Sequence, residues 1–333
     1  PNNTVTVGET FGNSYYAIQR GATLWGTGRY SNKRYSAYFS AHARYTEMWR
    51  EGLMKKGLFP DNSYGESEHL SYPTWGIKAG GDFRITGRHM IVLNTLFTKN
   101  PPLFRNAFLS PRTRNSSTPG LGQETIISGD ISYILRSPVV KGRLTAYYTR
   151  FNDQTEVTSF YHDEWRTLVN YAMSGIDKEN YGIEAGAEIS LTAELSVNAV
   201  ASLGQYLWVT NPAITITKDN NSEVLSTEEV WIQYFRQSGT PQTALAAGIE
   251  YNSSRFWWAG VTGSYYDQIF LDFNPVTRTK DETGYYPYWE QQKQVDPGFL
   301  IDIFVGKSWL VNDIYINVSA NLSNVLNNRS FVT

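Results

Sequence analysis

The chain has 333 residues, with 29 Lys and Arg against 31 Asp and Glu, no Cys, 10 Trp, 23 Tyr and 16 Phe. The near-neutral, interspersed charge provides no basic field for nucleic acid, and the lack of Cys excludes disulfides, thiolate metal sites and Cys nucleophiles. No stretch approaches the roughly 20 consecutive apolar residues of a spanning helix, so a membrane could be crossed only by strands.

The first residues, Pro1 to Val5, carry no basic region followed by an apolar core and do not read as a signal peptide. The expectation is that the chain begins inside a longer polypeptide. From there the governing pattern is period-two alternation, the signature of strands with one apolar and one polar face. A short turn is predicted at 30–33, a long polar loop at 51–72, a turn at 86–89 and a loop at 98–122. A turn at 136–141 and a loop at 159–166 follow. Ile183, Ala185, Ala187, Ile189 and Leu191 then alternate with Glu184, Gly186, Glu188 and Ser190. After a turn at 192–194, residues 195–203 repeat the alternation with only Val200 out of phase. A loop at 209–241, a turn at 252–254, a loop at 271–297 and a turn at 310–313 complete the order, and the last strand begins at Ile314. This reading gives about 12 antiparallel strands without a domain boundary or true repeat.

Such strands suit either a two-sheet sandwich with one solvated face or a barrel around a wet lumen. Several segments alternate for longer than the 5 to 6 residues usual in sandwiches, and aromatic residues gather near strand ends at 147–148, 206–208, 256–258 and 265–266. The expected fold is therefore all-β, an antiparallel transmembrane β-barrel, with short turns at one end and long loops at the other.

Several segments, in order, resemble the barrel of TonB-dependent receptors of the Bacteroidetes type. They are 141–153 (KGRLTAYYTRFND), 167–170 (TLVN), 175–184 (GIDKENYGIE), the loop 100–112 (NPPLFRNAFLSPR) and the Asn-rich 321–327 (NLSNVLN). The resemblance covers most of the chain from about Tyr35 onward. It implies that residues 1–333 are part of a large, 22-stranded barrel, with the plug domain and the terminal strands of the family absent from this chain. It further implies an outer-membrane location, outer-membrane lipids as surroundings, TonB engaged through the missing plug, and a surface lipoprotein as a capping partner. The function implied is import of a scarce nutrient, without enzymatic activity or cofactor. A scaffold of the same fold that organises surface lipoproteins is the alternative, and a passive porin a third reading.

Ligand chemistry is expected only in the long loops. Phe104, Arg105, Arg112 and Arg114 combine an aromatic face with guanidinium forks, and Tyr285, Tyr286, Tyr288 and Trp289 form an aromatic run beside Glu290. Such groups stack on rings and bind carboxylate or phosphate, although packing between loops or anchoring at the membrane interface would use the same residue types. Glu184 and Glu188 share a strand face, with Asp302 on another polar position; lining a hydrated lumen is the plainer reading of all three. His42, His69, His89 and His162 show no metal-ligand spacing, and neither a phosphate-binding glycine loop nor a nucleophile elbow is present.

Overall fold

The computed structural model describes residues 6–162, 166–279 and 291–330; the predicted site residues Tyr285, Tyr286, Tyr288 and Trp289 lie outside them. The chain is all-β. In order run β1 (Tyr15–Ser31), β2 (Tyr35–Gly52), β3 (Gly65–Glu66), β4 (Leu70–Arg84) and β5 (His89–Asn100). A four-residue helix, α1 (Phe104–Ala107), precedes β6 (Glu124–Arg136), β7 (Val140–His162), β8 (Thr167–Ser190) and β9 (Leu195–Trp208). Then come β10 (Ala213–Lys218), β11 (Val224–Glu229), β12 (Thr243–Asn252), β13 (Trp257–Asp267), β14 (Ile269–Phe270), β15 (Gln294–Val295), β16 (Gly298–Val311) and β17 (Ile314–Leu322).

Fifteen of these form one antiparallel sheet, twelve of them in the order β1-β2-β4-β5-β6-β7-β8-β9-β12-β13-β16-β17, with β3, β10 and β11 off this path. Each strand lies beside the next one along this path, so all the short turns fall at one end and all the long loops at the other. The six predicted turns lie at tight connections and four of the five predicted loops at long ones. The fifth, 159–166, is corrected: residues 159–162 continue β7 in register with β8 and leave only 163–166 between the two strands. Among the described residues β1 and β17 each pair on one side only, so closure of the sheet into a cylinder is not part of this architecture.

The two faces of the sheet are filled in reverse of a water-soluble protein. Register places Gly81, Leu93, Ile131, Ala146, Ile183 and Leu203 in one cross-strand row. Ile189, Val197, Ile249, Val261, Ile303 and Leu322 form another row on the same face. On this face Ile131 is 51% and Leu144 50% exposed, whereas Ser132 and Thr145 on the opposite face are 0% and 7% exposed. Ser132 and Thr145 share a hydroxyl hydrogen bond of 2.9 Å, and Arg143 donates to both. Polar groups are thus sheltered and paired, and large aliphatic side chains point outward, as in a sheet whose outer solvent is hydrocarbon.

One region is packed in the ordinary way. β7 and β8, 23 and 24 residues long, run past the sheet at the loop end, where β10 adds to β8 and β11 to β10. There Val169, Tyr171, Met173, Ile176, Trp208, Ile214, Ile216, Val230 and Ile232 form a buried apolar core, joined by Phe235 and Phe273. Residues 209–241, read from sequence as one polar loop, therefore contain a hairpin. The aromatic residues near strand ends divide similarly. Tyr148 and Trp257 lie on the outward face, but Tyr147 and Tyr206 meet through their hydroxyls at 2.9 Å on the polar face, and Trp208 belongs to the apolar core of the loop-end region built by β7, β8, β10 and β11, the crown. They are not all part of one interfacial girdle.

Candidate functional site

The loop between β5 and β6 roofs the polar face. Pro101 and Pro102 end β5 by removing backbone donors, and the chain turns through α1. Ala107 and Phe108 bury against Met48 of β2, with the Phe104 ring 5.2 Å from Phe108. Asn106 Nδ2 donates to the Thr155 carbonyl of β7 at 2.6 Å, and Gln123 Nε2 donates to the Pro73 carbonyl of β4 at 3.0 Å. The loop is thereby fastened to three strands on their sheltered side.

Two buried guanidinium groups complete the fastening. Arg50, at the loop end of β2, donates through Nε to the Pro111 carbonyl at 2.6 Å and through Nη1 to the Ser63 carbonyl at 3.0 Å, and it also bonds Asn115 Oδ1. Arg114 is fully buried, with Nη1 2.8 Å from the Asp219 carbonyl and 3.4 Å from its carboxylate, and with the Phe59 ring 4.9 Å away. Burial pulls the Arg114 guanidinium below its ordinary pKa, and Asp219 opposes that shift. Its Nε and Nη2 have no hydrogen-bond partner among the described residues. Arg114 therefore joins three loops from the inside. The role of Arg50 was not assigned from sequence, although its alternation with Arg44, Thr46 and Met48 places it on the polar face.

Beneath this roof lies a cavity of about 430 Å³, within the usual range for small-molecule sites. Phe104 and Arg105 line it; Arg112 is exposed elsewhere on the loop. Its charged lining is uneven in pairing. Lys178 on β8 bonds Glu156 at 2.7 Å, with its ammonium 4.1 Å from the Trp208 ring, and Glu124 accepts a hydrogen bond from Gln154. Arg44 on β2 and Arg105 also face the cavity, and neither forms an ion pair among the described residues. Two unpaired guanidinium groups, beside the engaged Glu124 and Glu156 and the single further carboxylate Asp153, suit a ligand bearing carboxylate, phosphate or other anionic oxygens. The acidic residues singled out from sequence lie elsewhere on the polar face. Glu188 pairs with Lys141 at 2.9 Å, Glu184 stands opposite Thr145, and Asp302 accepts the Asn324 N–H at 2.8 Å. His69 sits between Glu47 and Glu66 at 3.1 and 3.2 Å, and hydrogen bonds to these carboxylates raise its pKa.

No protein-family profile and no curated protein matches the sequence. Solved structures do. The copper transporter OprC superposes with a TM-score of 0.66 at 10% identity, over 94% of this chain and 42% of that one. The closed form of the ferric-catecholate import receptor Fiu from Escherichia coli K12 gives 0.61 at 10% identity, over 98% and 44%. The outer membrane transporter YddB from Escherichia coli gives 0.53 at 10%, over 94% and 51%. The chain thus has the strand architecture found in outer-membrane transporters and receptors; at these identities what is shared is the fold. It spans about two-fifths to one-half of the length of those proteins.

Proposed function

We propose that this chain is part of a TonB-dependent outer-membrane transporter that imports a scarce nutrient bound from the loop end. The inversion of the two faces carries the reading: hydroxyls and guanidinium groups are paired inside while Ile131 and Leu144 stand outside. The outward aromatic residues Tyr35 and Tyr45 on β2 support it. Ten residues at about 3.3 Å each, tilted by about 40°, separate them by about 25 Å in height, the thickness of an outer-membrane apolar band.

In this reading further strands complete a cylinder of about 22, the size class whose lumen is plugged. The short turns face the periplasm and the long loops the exterior. The plug, pulled by the TonB complex, opens the path below the cavity; the outer membrane holds no nucleotide fuel, so uphill uptake needs that mechanical link. The receptor is of the Bacteroidetes type, Phe104 and Arg105 contact the ligand in the cavity, Arg112 and the loop residues Tyr285, Tyr286, Tyr288 and Trp289 contribute to binding, and a surface lipoprotein caps the assembly.

Two measurements on the full-length protein test the proposal. Uptake of its ligand by cells is expected to vanish when TonB is deleted, and planar bilayers containing the protein are expected to stay closed. A large steady conductance, or uptake independent of TonB, would overturn it.

A further inference from the structure

The roof stands on the connection from β2 to β4, and one histidine fastens the far end of that connection. The Ser63 carbonyl takes the Arg50 Nη1 donor at 3.0 Å, and the Asn62 carbonyl takes the N–H of Asn115 in the roof loop at 2.8 Å. The Phe59 ring lies 4.9 Å from the Arg114 guanidinium. The connection returns to the sheet through β3, which is two residues long and sets Glu66 opposite Glu51 and Gly65 opposite Gly52. Ser67 adds two bonds to the Arg50 backbone, donating its N–H at 2.7 Å and accepting through Oγ at 2.9 Å. So short a strand depends on its side chains to stay in place.

His69 supplies the side-chain tie. Its Nδ1 is 3.1 Å from the Glu47 carboxylate of β2, and its Nε2 is 3.2 Å from the Glu66 carboxylate of β3. The ring lies flat on Trp49 of β2, with centroids 4.3 Å apart and planes 10° from parallel, and Trp49 is only 3% exposed. A neutral imidazole has one donor and one acceptor, so one of its nitrogens would turn a lone pair toward a carboxylate. Only the imidazolium donates to both.

The surroundings favour that proton. Glu51 stands opposite Glu66 on β2, and Glu68 precedes His69 in the chain. Against these carboxylates β1 contributes one cation, Arg20, which stands opposite Glu47 and lies 4.8 Å from the Trp49 ring. From β4 only the uncharged Ser71 stands opposite Glu47, and its Oγ accepts the Tyr45 hydroxyl at 3.0 Å. The hydrogen bonds to Glu47 and then to Glu66 raise the His69 pKa.

We propose that His69 is a proton-operated lock on the roof, tying β3 to β2 when protonated and releasing one carboxylate when neutral. Glu47 is embedded in an 18-residue strand, so the bond that yields is the one to Glu66. The connection then loosens, and with it the roof loop it supports. Because the folded pKa lies above the ordinary value of about 6.5, the tie is fully made below that value and is lost as pH rises through the raised one. The lock needs neither ligand nor membrane energy, so its test stands apart from the transport reading.

The test is hydrogen exchange on the full-length protein in lipid vesicles at pH 6, 7.5 and 9, with each rate divided by the intrinsic rate at that pH. In the wild type, protection of the Ser67 amide and of residues 53–66 is expected to fall roughly threefold from pH 6 to pH 9, the scale of two half-exposed ion pairs. Residues 105–118 should follow, while β5 and β6 keep their protection in every variant and report that the sheet is folded. His69→Gln carries no charge and should be flat across pH at the wild-type level of pH 9. His69→Arg keeps a planar cation that can donate to both carboxylates and lie on Trp49, and should be flat at the level of pH 6. Constant protection in the wild type, or a pH-dependent loss that persists in His69→Gln, would overturn the lock. Loosening of 53–66 that leaves 105–118 unchanged would overturn its hold on the roof.

Discussion

The strand sheet and the crown above it solve burial in opposite ways, although β7 and β8 run continuously through both. In the crown, Ile214 and Ile216 of β10 point into a core shared with Val169 and Met173 of β8, and water is kept from apolar groups. A few turns along the same strand, Ile183 and Ile189 stand exposed, while on the other face Glu188 meets Lys141 and Ser132 meets Thr145. One chain thus follows the hydrophobic rule in one segment and inverts it in the next. In the proposed reading, the difference marks where the surroundings change from water to hydrocarbon.

Truncating the crown's core should give the largest effect. Ile214 is fully buried there, and Ile214→Ala is expected to cost about 4 kcal/mol locally, the upper range for a cavity in a well-packed site. Hydrogen exchange should show β10 and β11 losing protection while β4 to β6 keep theirs. Simultaneous loss in both regions would mean that crown and sheet unfold as one unit. The complementary change is Ile131→Arg on the outward face. In hydrocarbon it is expected to cost about 3 kcal/mol and to depress assembly, followed by urea unfolding in lipid vesicles. A change within about 0.5 kcal/mol, normal for an aqueous surface, would place that face in water.

Where the regions meet, Arg114 tests whether a buried charge serves structure or ligand. Asp219→Ala leaves the Arg114 carbonyl contact but removes the carboxylate, which also accepts from Asn170 Nδ2 at 3.0 Å. A loss of about 2 kcal/mol in crown stability is expected, read by limited proteolysis under urea. Arg114→Met relieves two buried and unmatched nitrogens but strips the Asp219 carbonyl and carboxylate of their donor, and should cost about 2 kcal/mol as well. Ligand affinity should survive that substitution. Its loss with the crown intact would return Arg114 to the binding site predicted from sequence.

The alternation of apolar and polar residues was enough to locate the sheet, because a two-residue period has one meaning once it persists beyond sandwich length. The exchange of short and long connections followed from the same pattern, since only residues outside the alternation are free to be turns. The β10–β11 hairpin was missed although Ile214 and Ile216 alternate with Thr215 and Thr217. At six residues its strand is too short to stand out inside a polar stretch. The candidate site was half legible. Phe104 and Arg105 reach the cavity, but the burial of Arg114 depends on Phe59 and Asp219, which come from loops far apart in sequence. The partners Arg44 and Lys178 required knowing which strands share a roof.

The smallest expected effect lies at the turn end and concerns pH. Glu194, in the connection between β8 and β9, accepts the Tyr251 hydroxyl at 2.5 Å and the Ser254 N–H at 2.9 Å, tying two neighbouring turns together. These hydrogen bonds hold its carboxyl at about 2, the Tyr251 bond contributing most. Because the folded value lies below the ordinary carboxylate value of about 4.3, the stabilisation is present above that value. It declines as pH falls and is lost on passing through about 2. Urea midpoints measured in vesicles across this interval should therefore fall with acid more steeply for the wild type than for Glu194→Gln, which keeps an acceptor but cannot titrate. Crown proteolysis should be the same in the two proteins at every pH, since the staple is at the opposite end of the sheet. Parallel midpoint curves would show that Tyr251 and Ser254 do not favour the charged form of Glu194.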